Sequence, residues 1–269
     1  MRGFIFLDFS QITNVIVRFL EIREVEREMY KSKKCMGSVF GSPPTSFQPL
    51  IKEIRNDLKK ENIEACDIGC LDGRNSFVIA SNGFKVDCYE INELYINGGQ
   101  AQYPFLVNDT ISLEEIQLYG LKRRLKLNFS QSTANINVVE KNFYKENTKQ
   151  YDFVYTRRSL SRDEYSDLSM NQKIQILKNS VKEKGILYIE YLIETDEEKD
   201  PAKYLKRGQM EEYFNRKGWI LYYCTEGDGL IEEKPDLEHP TFHKHNVGRI
   251  KVMKDKNKKL DFYKVNLIF

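Results

Sequence analysis

A doubly wound, mostly parallel α/β sheet is the fold this sequence predicts, and three observations carry it. Short apolar runs of strand length alternate with helical stretches along most of the chain, the order that builds parallel strands with crossover helices. Residues 63–92 join a strand, a glycine-bracketed turn, a helix and a second strand that delivers an acid, Glu90. Residues 219–224 and 248–253 then read as a closing pair of strands.

Taken in order, residues 10–32 fit an amphipathic helix, because Ile12, Val15, Ile16, Phe19 and Ile22 recur at helical spacing and Ser10 is placed to cap it. Val15, Val17 and Phe19 also alternate, so a strand stays open there. Residues 37–49, rich in Gly, Ser and Pro, form a linker. The expected division is an extension and linker over 1–45 and one domain over 46–269. A helix from about 47 or 50 to 60 leads into the first strand, 63–68. Gly69 and Gly73 bracket a tight turn, 76–81 forms a short helix stopped by Asn82-Gly83, and 84–89 alternates as the second strand.

The connection 91–135 is long. Within it, Asp109 or Ser112 is placed to cap a helix with Glu114 and Glu115 in its first turn and Lys122, Arg123 and Arg124 in its last. That reading makes the basic triplet a solvated helix end. Strands are expected over 136–140, 153–155 and 186–193, helices over 171–182 and 210–217, and a last strand-like run over 262–269. No internal repeat or low-complexity tract is present.

At 269 residues and 41% hydrophobic content the chain can bury one substantial core. Its 42 basic and 40 acidic residues nearly cancel to +2, which gives no electrostatic case for nucleic acid as the main partner. The five cysteines lack C-x-x-C or metal spacing and read as free thiols of a reducing cytosol. No run reaches the ~18 apolar residues of a membrane span. The apolar start Phe4–Leu7 is cut by Asp8 and lacks a cleavage pattern, so no signal peptide is expected. A small-molecule partner fits these bounds, in a cytoplasmic protein without membrane or nucleic-acid attachment.

The chemistry concentrates at 63–92. Glycines let backbone approach a ligand, and an acid about twenty residues past the first glycine accepts hydrogen bonds from ribose hydroxyls. A dinucleotide fingerprint would place a glycine where this chain has Leu71, so a diphosphate would meet a side chain. S-adenosylmethionine has ribose hydroxyls and no phosphate, and fits the loop better. An ordinary strand-to-helix turn is the bland alternative.

The stretch DIGCLDGRNSFVIASNGFKVDCYE resembles the glycine-rich motif of class I S-adenosylmethionine-dependent methyltransferases, nearest to the tellurite-resistance-type branch. The match falls at Asp67, Gly69, Cys70, Gly73, Arg74, Asn75 and Ser76, with Leu71 replacing the middle glycine. The resemblance implies a seven-stranded Rossmann-like methyltransferase sheet with a closing antiparallel strand pair, and S-adenosylmethionine as cofactor. It places Asp67, Gly69, Cys70, Gly73, Arg74, Asn75 and Glu90 at the cofactor, with Asn142 and Phe143 at the adenine and Thr156 after the fourth strand. The segment SPPTSF resembles the stretch that helps roof the cofactor in this branch; equally, it is a loop that caps the next helix through Thr45 or Ser46.

The resemblance extends through YDFVYTRRSL and ILYIEYL, which look like the fourth and fifth strands of methyltransferases of polysaccharide and small-metabolite pathways. Arg157 and Glu190 are kept, whereas Ser161 and Leu192 stand where that pattern has His and Arg. Arg157 and Arg158 fall past the fourth strand, where the crevice of an open α/β sheet lies, and suit a carboxylate or phosphate; the alternative is a salt bridge to Asp163 or Glu164. Glu190, inside an apolar strand, needs a partner, either a substrate group or Arg157. If two or more of Arg157, Arg158, Arg207 and Arg249 converge, an anionic acceptor is expected.

The three histidines, His239, His243 and His245, invite a metal reading, but Pro240 disfavours a helix and no second cluster completes a site. One functional histidine, His243 as general base, is a stronger expectation than a metal, with three surface polar residues as the default reading. The catalytic candidates are therefore His243, Arg157 and Glu190. The expected function is methyl transfer to an O or N of a small polar acceptor, with a non-catalytic S-adenosylmethionine-binding protein or a nucleotide-dependent oxidoreductase as alternatives.

Overall fold

A computed structural model describes residues 43–107, 110–127, 134–162, 167–195, 199–227, 231–233 and 243–258. The expectations for residues 10–32, Asp163, Glu164, His239 and 262–269 lie outside them. Helix α1, Phe47–Leu58, buries Phe47, Ile51, Ile54 and Leu58, a stripe at helical spacing, and ends where Lys59 turns left-handed at φ 48°. Strand β1, Ile63–Ile68, is followed by α2, Arg74–Ser81, and β2, Phe84–Tyr89. These three elements match the strand, turn, helix and strand expected from the sequence.

The connection beyond Glu90 differs from expectation. A short helix α3, Glu93–Asn97, leads into a hairpin of β3, Gly99–Val107, and β4, Thr110–Leu118, which pair antiparallel as a separate two-stranded sheet. Where a helix capped by Ser112 is expected the chain is thus a strand, and Asp109 lies outside the described residues. Its Ile116 and Leu118 are buried on one face with Gln117 between them, a period of two, and pairing to β3 overrides the helix-favouring glutamates. Gly98 and Gly120 cross at the hairpin base, where a Cβ on Gly120 would lie 2.2 Å from the Gly98 nitrogen. Helix α4, Leu121–Leu127, starts only after this crossing; Arg124 does lie in its last turn, but buried rather than solvated.

Strand β5, Ile136–Val139, and helix α5, Phe143–Glu146, precede β6, Tyr151–Arg157, and a 3-10 turn at Ser159–Ser161. Helix α6, Met170–Asn179, stops three residues earlier than expected because Val181 already pairs with Tyr151. Strand β7, Val181–Ile193, is followed by α7, Gln209–Phe214, β8, Trp219–Glu226, β9, Ile231–Glu233, and β10, His243–Lys254.

The main sheet runs β5-β2-β1-β6-β7-β10-β8, with β9 paired to β10. The strands from β5 to β7 are mutually parallel, and β10 is antiparallel to both β7 and β8, so the closing pair follows the expected form. Alternation divides the core between two faces. Ala65, Phe153, Tyr155, Ile186 and Tyr188 lie with α1 and α2, while Ile68, Val154, Leu187, Ile189 and Tyr191 lie on the other side with α6 and α7. The strand order reverses between β1 and β6, so the ligand crevice of this topology lies beyond their carboxyl ends.

Candidate functional site

The turn after β1 is built on left-handed backbone. Gly69, Leu71 and Gly73 have φ of 69°, 55° and 84°. Leu71 keeps the conformation that a glycine supplies more cheaply. Its side chain packs against Tyr95, Ile116 and Leu118 at the base of the hairpin. Gly69 faces the segment after β6, where a Cβ would sit 3.3 Å from the Ser159 Cβ and 3.4 Å from Arg162 Nη1. At Gly73 a Cβ would lie 2.4 Å from the Leu121 side chain, so the start of α2 and the start of α4 touch.

Buried polar groups fix this loop. The Ser76 hydroxyl donates to Asp67 Oδ2 at 2.6 Å, joining the end of β1 to the first turn of α2. Burial pushes the Asp67 carboxyl up to about 7, against the opposing pull of that hydrogen bond. Asn75 donates to the Tyr155 hydroxyl at 3.2 Å, and its own side-chain carbonyl oxygen is buried with no protein partner among the described residues. Cys70 is buried, and its thiol is pushed up by that burial, so it is no nucleophile here. Arg74 lies close enough to Asp67 to act on it electrostatically.

Glu90 is fully buried at the end of β2 and closes the loop from the other side. Its Oε2 accepts the Leu71 N–H at 2.9 Å and lies 3.3 Å from Arg162 Nη1, while Oε1 accepts the N–H groups of Ile91 and Asn92. The acid thus reads the backbone of the glycine loop directly. Arg162 also lies over the Tyr95 ring at 6.0 Å.

The remaining expected cofactor residues are engaged within the fold. The Asn142 side chain caps α5 by accepting the Tyr144 N–H, and Phe143 is buried edge-on against Tyr89 with centroids 4.9 Å apart. The Thr156 hydroxyl meets that of Ser159 and lies 3.4 Å from the Ile68 carbonyl, and the Tyr144 hydroxyl joins the same network at 2.6 Å from Ser159. This buried hydroxyl chain supports the loop from beneath.

Next to it, β6, β7 and β10 set three residues in a row. Arg157 and Arg249 are both register partners of Glu190. Arg157 Nε donates to Glu190 Oε1 at 2.7 Å, Arg249 Nε donates to Oε2 at 3.0 Å, and Arg158 Nε lies 3.3 Å from Oε1. Burial alone would raise the Glu190 carboxyl, but Arg157, then Arg158 and Arg249, outweigh it and hold the group below its usual range. Three of the four arginines considered in the sequence therefore converge; Arg207 instead donates to the Gly227 carbonyl. Ser161 donates to the Lys203 carbonyl at 2.8 Å. His243 begins β10 opposite Glu233, six residues before Arg249, or about 20 Å along an extended strand. The structure does not bring His243 to the arginine row.

Two residues outside the sequence reading are central. Asp72, inside the glycine loop, is fully buried and accepts from Arg124 of α4 at 3.0 Å, while the same guanidinium donates to the Asp72 carbonyl. The signal was a charged residue between Leu71 and Gly73, but its partner is 52 residues away and was placed in solvent. Arg162 is the second, and no local pattern marks it.

A mostly parallel seven-stranded sheet with helices, beside a separate two-stranded antiparallel sheet, is a Rossmann-like methyltransferase fold. No family model matches the sequence, and no curated protein matches it significantly. Among solved structures, TehB from Haemophilus influenzae is 16% identical with a TM-score of 0.51, over 86% of this chain and 67% of that one. The magnesium protoporphyrin IX methyltransferase of Synechocystis PCC 6803, solved with bound SAM, is 10% identical with a TM-score of 0.51, over 94% of this chain and all of that one. At these identities the likeness is one of fold.

Proposed function

We propose that the chain is an S-adenosylmethionine-dependent methyltransferase acting on an O or N of a small polar acceptor. The observation that carries this reading is Glu90, held at the switch point by the N–H of the loop it faces. The residues fit the cofactor. Gly69 lets the turn lie close against Ser159 and Arg162, where a Cβ would crowd, Leu71 turns its side chain into the hairpin cluster, and Asn75 has a buried acceptor atom near the loop. Glu90 would hold the ribose diol, which takes the place of the long Arg162 contact, and the backbone from Gly69 to Leu71 would pass under the methionine part. Gly69, Gly73 and Asn75 would shape that cradle. The relative from Synechocystis, solved with the cofactor bound, supports the same choice of ligand.

Bound there, the cofactor supplies a methyl on a sulfonium, so transfer is an in-line displacement whose leaving group needs no acid. The protein's task is then positioning, holding acceptor and methyl in line. Asp67 and Ser76 lock the loop, and the buried chain of Thr156, Ser159 and Tyr144 holds the end of β6 against β1. A base is required only for an acceptor that carries a proton at the reacting atom.

Calorimetry with S-adenosylmethionine, S-adenosylhomocysteine and NAD tests the reading. The first two should bind, and Glu90→Ala should weaken them at least tenfold, about 1.4 kcal/mol. Binding of NAD alone, or unchanged affinity in Glu90→Ala, removes the assignment. Gly69→Val should abolish binding while its circular dichroism stays that of the parent.

A further inference from the structure

We propose that Arg162 keeps the cofactor site closed by holding Glu90 for itself, so that ligand enters only by displacing its guanidinium; this rests on the reading of Glu90 as the ribose acid. Arg162 Nη1 donates to Glu90 Oε2 at 3.3 Å, and the guanidinium stands 6.0 Å from the centre of the Tyr95 ring. The side chain runs beside the glycine turn, since a Cβ on Gly69 would lie 3.4 Å from its Nη1 and 3.9 Å from its Cδ. One arginine thus spans from the loop to the acid at the end of β2.

Counting acceptor positions shows why ribose and arginine cannot share Glu90. A carboxylate offers about four. Oε1 takes the N–H groups of Ile91 and Asn92, and Oε2 takes that of Leu71 and the guanidinium. A ribose diol brings two further O–H donors, so it has to take a position that one of these four holds. Three of them are main-chain groups that shape the loop and the end of β2, and releasing them would open the turn. The fourth is a side chain. Because Glu90 is fully buried, the cation beside it is also what makes the closed arrangement the favoured one.

The turn that carries Arg162 is fixed independently of this contact. Ser159 is buried in the hydroxyl chain with Thr156 and Tyr144. Lys173, fully buried on α6, donates to the Leu160 carbonyl at 2.7 Å and to the Ala202 carbonyl at 3.0 Å, and Ser161 holds the Lys203 carbonyl. The backbone at 159–161 therefore stays in place when the guanidinium leaves, and release is a rotamer change of one long side chain. Ligand affinity is then the intrinsic affinity scaled by the fraction of molecules in which Arg162 has let go.

The test is calorimetry with S-adenosylhomocysteine on the parent, Arg162→Gln, Glu90→Gln and the double variant. Arg162→Gln should bind at least about threefold more tightly than the parent, with the same circular dichroism. In the Glu90→Gln background, where no carboxylate holds the guanidinium, the same substitution should leave affinity unchanged. Should Arg162→Gln not fold, Arg162→Met, which keeps the stem beside Gly69, is read in its place. Equal binding by parent and Arg162→Gln overturns the closed site and leaves the methyltransferase reading intact. Weaker binding by Arg162→Gln makes the arginine a holder of the ligand and overturns it too, as does a gain of the same size in the Glu90→Gln background. No binding by the parent or by any variant overturns both readings.

Discussion

Leu71 shows how one side chain can change the character of a loop without changing its path. It keeps a left-handed φ of 55°, and its side chain serves the hairpin cluster. Leu71→Ala loses that packing and keeps the strain, whereas Leu71→Gly loses the packing and relieves it. Relief of about 1–2 kcal/mol exceeds the extra chain entropy of glycine, 0.4–1 kcal/mol, so the glycine variant should be about 0.5–1 kcal/mol more stable than the alanine one. Urea unfolding midpoints decide this, and the reverse order would mean the conformation carries no strain. Asp67 gives a pH signature. Its folded pKa, near 7, lies above the unfolded value of about 4, so the protonated acid favours the folded state. The contribution is complete below pH 4 and is lost as pH rises to about 7, up to about 4 kcal/mol. The stability difference between parent and Asp67→Asn should therefore change across that window; a constant difference would show that Asp67 ionises normally. Both residues stood in the sequence motif, but neither the direction of the Leu71 side chain nor the burial of Asp67 could be read from it.

Among the elements, those built from local signals were legible. Helix α6 opens with a capping box in which Ser169 and Gln172 exchange bonds, and Ser169→Ala should cost about 1 kcal/mol in denaturant unfolding. A loss near zero would mean the box adds nothing to α6. The β1–α2–β2 unit was legible for the same reason, since glycine, apolar run and acid lie within thirty residues. The β3–β4 hairpin was not. Leu113, Glu114 and Glu115 suit a helix on their own, and what makes them a strand is pairing with 99–107, together with a glycine crossing visible only once Gly98 meets Gly120. The arginine row was legible in part. The sequence placed Arg157 past a strand and Glu190 inside one, but their alignment with Arg249 depends on the register of an antiparallel strand about sixty residues on.

At the scale of the whole molecule, ligand and fold are linked. If S-adenosylhomocysteine binds only the folded chain, a concentration 100 times its Kd adds about 2.7 kcal/mol and should raise Tm by roughly 5–11 °C. Glu90→Ala at the same concentration should lose about 1.4 kcal/mol of that gain. Equal shifts in the two proteins would separate Glu90 from the ligand. The other long-range tie is the buried contact between Asp72 and Arg124. Arg124→Met removes a guanidinium from a fully buried carboxylate and should cost about 3–5 kcal/mol, most of it recovered in Asp72→Asn/Arg124→Met. A loss below about 1 kcal/mol in the single variant would show that water replaces the cation. The contact also bears on how such a domain can be rebuilt. The hairpin and α4 look like an exchangeable cassette, entering and leaving through neighbouring glycines. Yet one wall of the glycine turn is made of their side chains, Leu121 against Gly73 and Arg124 against Asp72. A chimaera that swaps residues 98–127 for the corresponding segment of another protein of this fold would inherit a buried acid without its cation and a left-handed leucine without its pocket. Graft and turn have to be transplanted together, with Leu71 and Asp72 travelling as part of the insert.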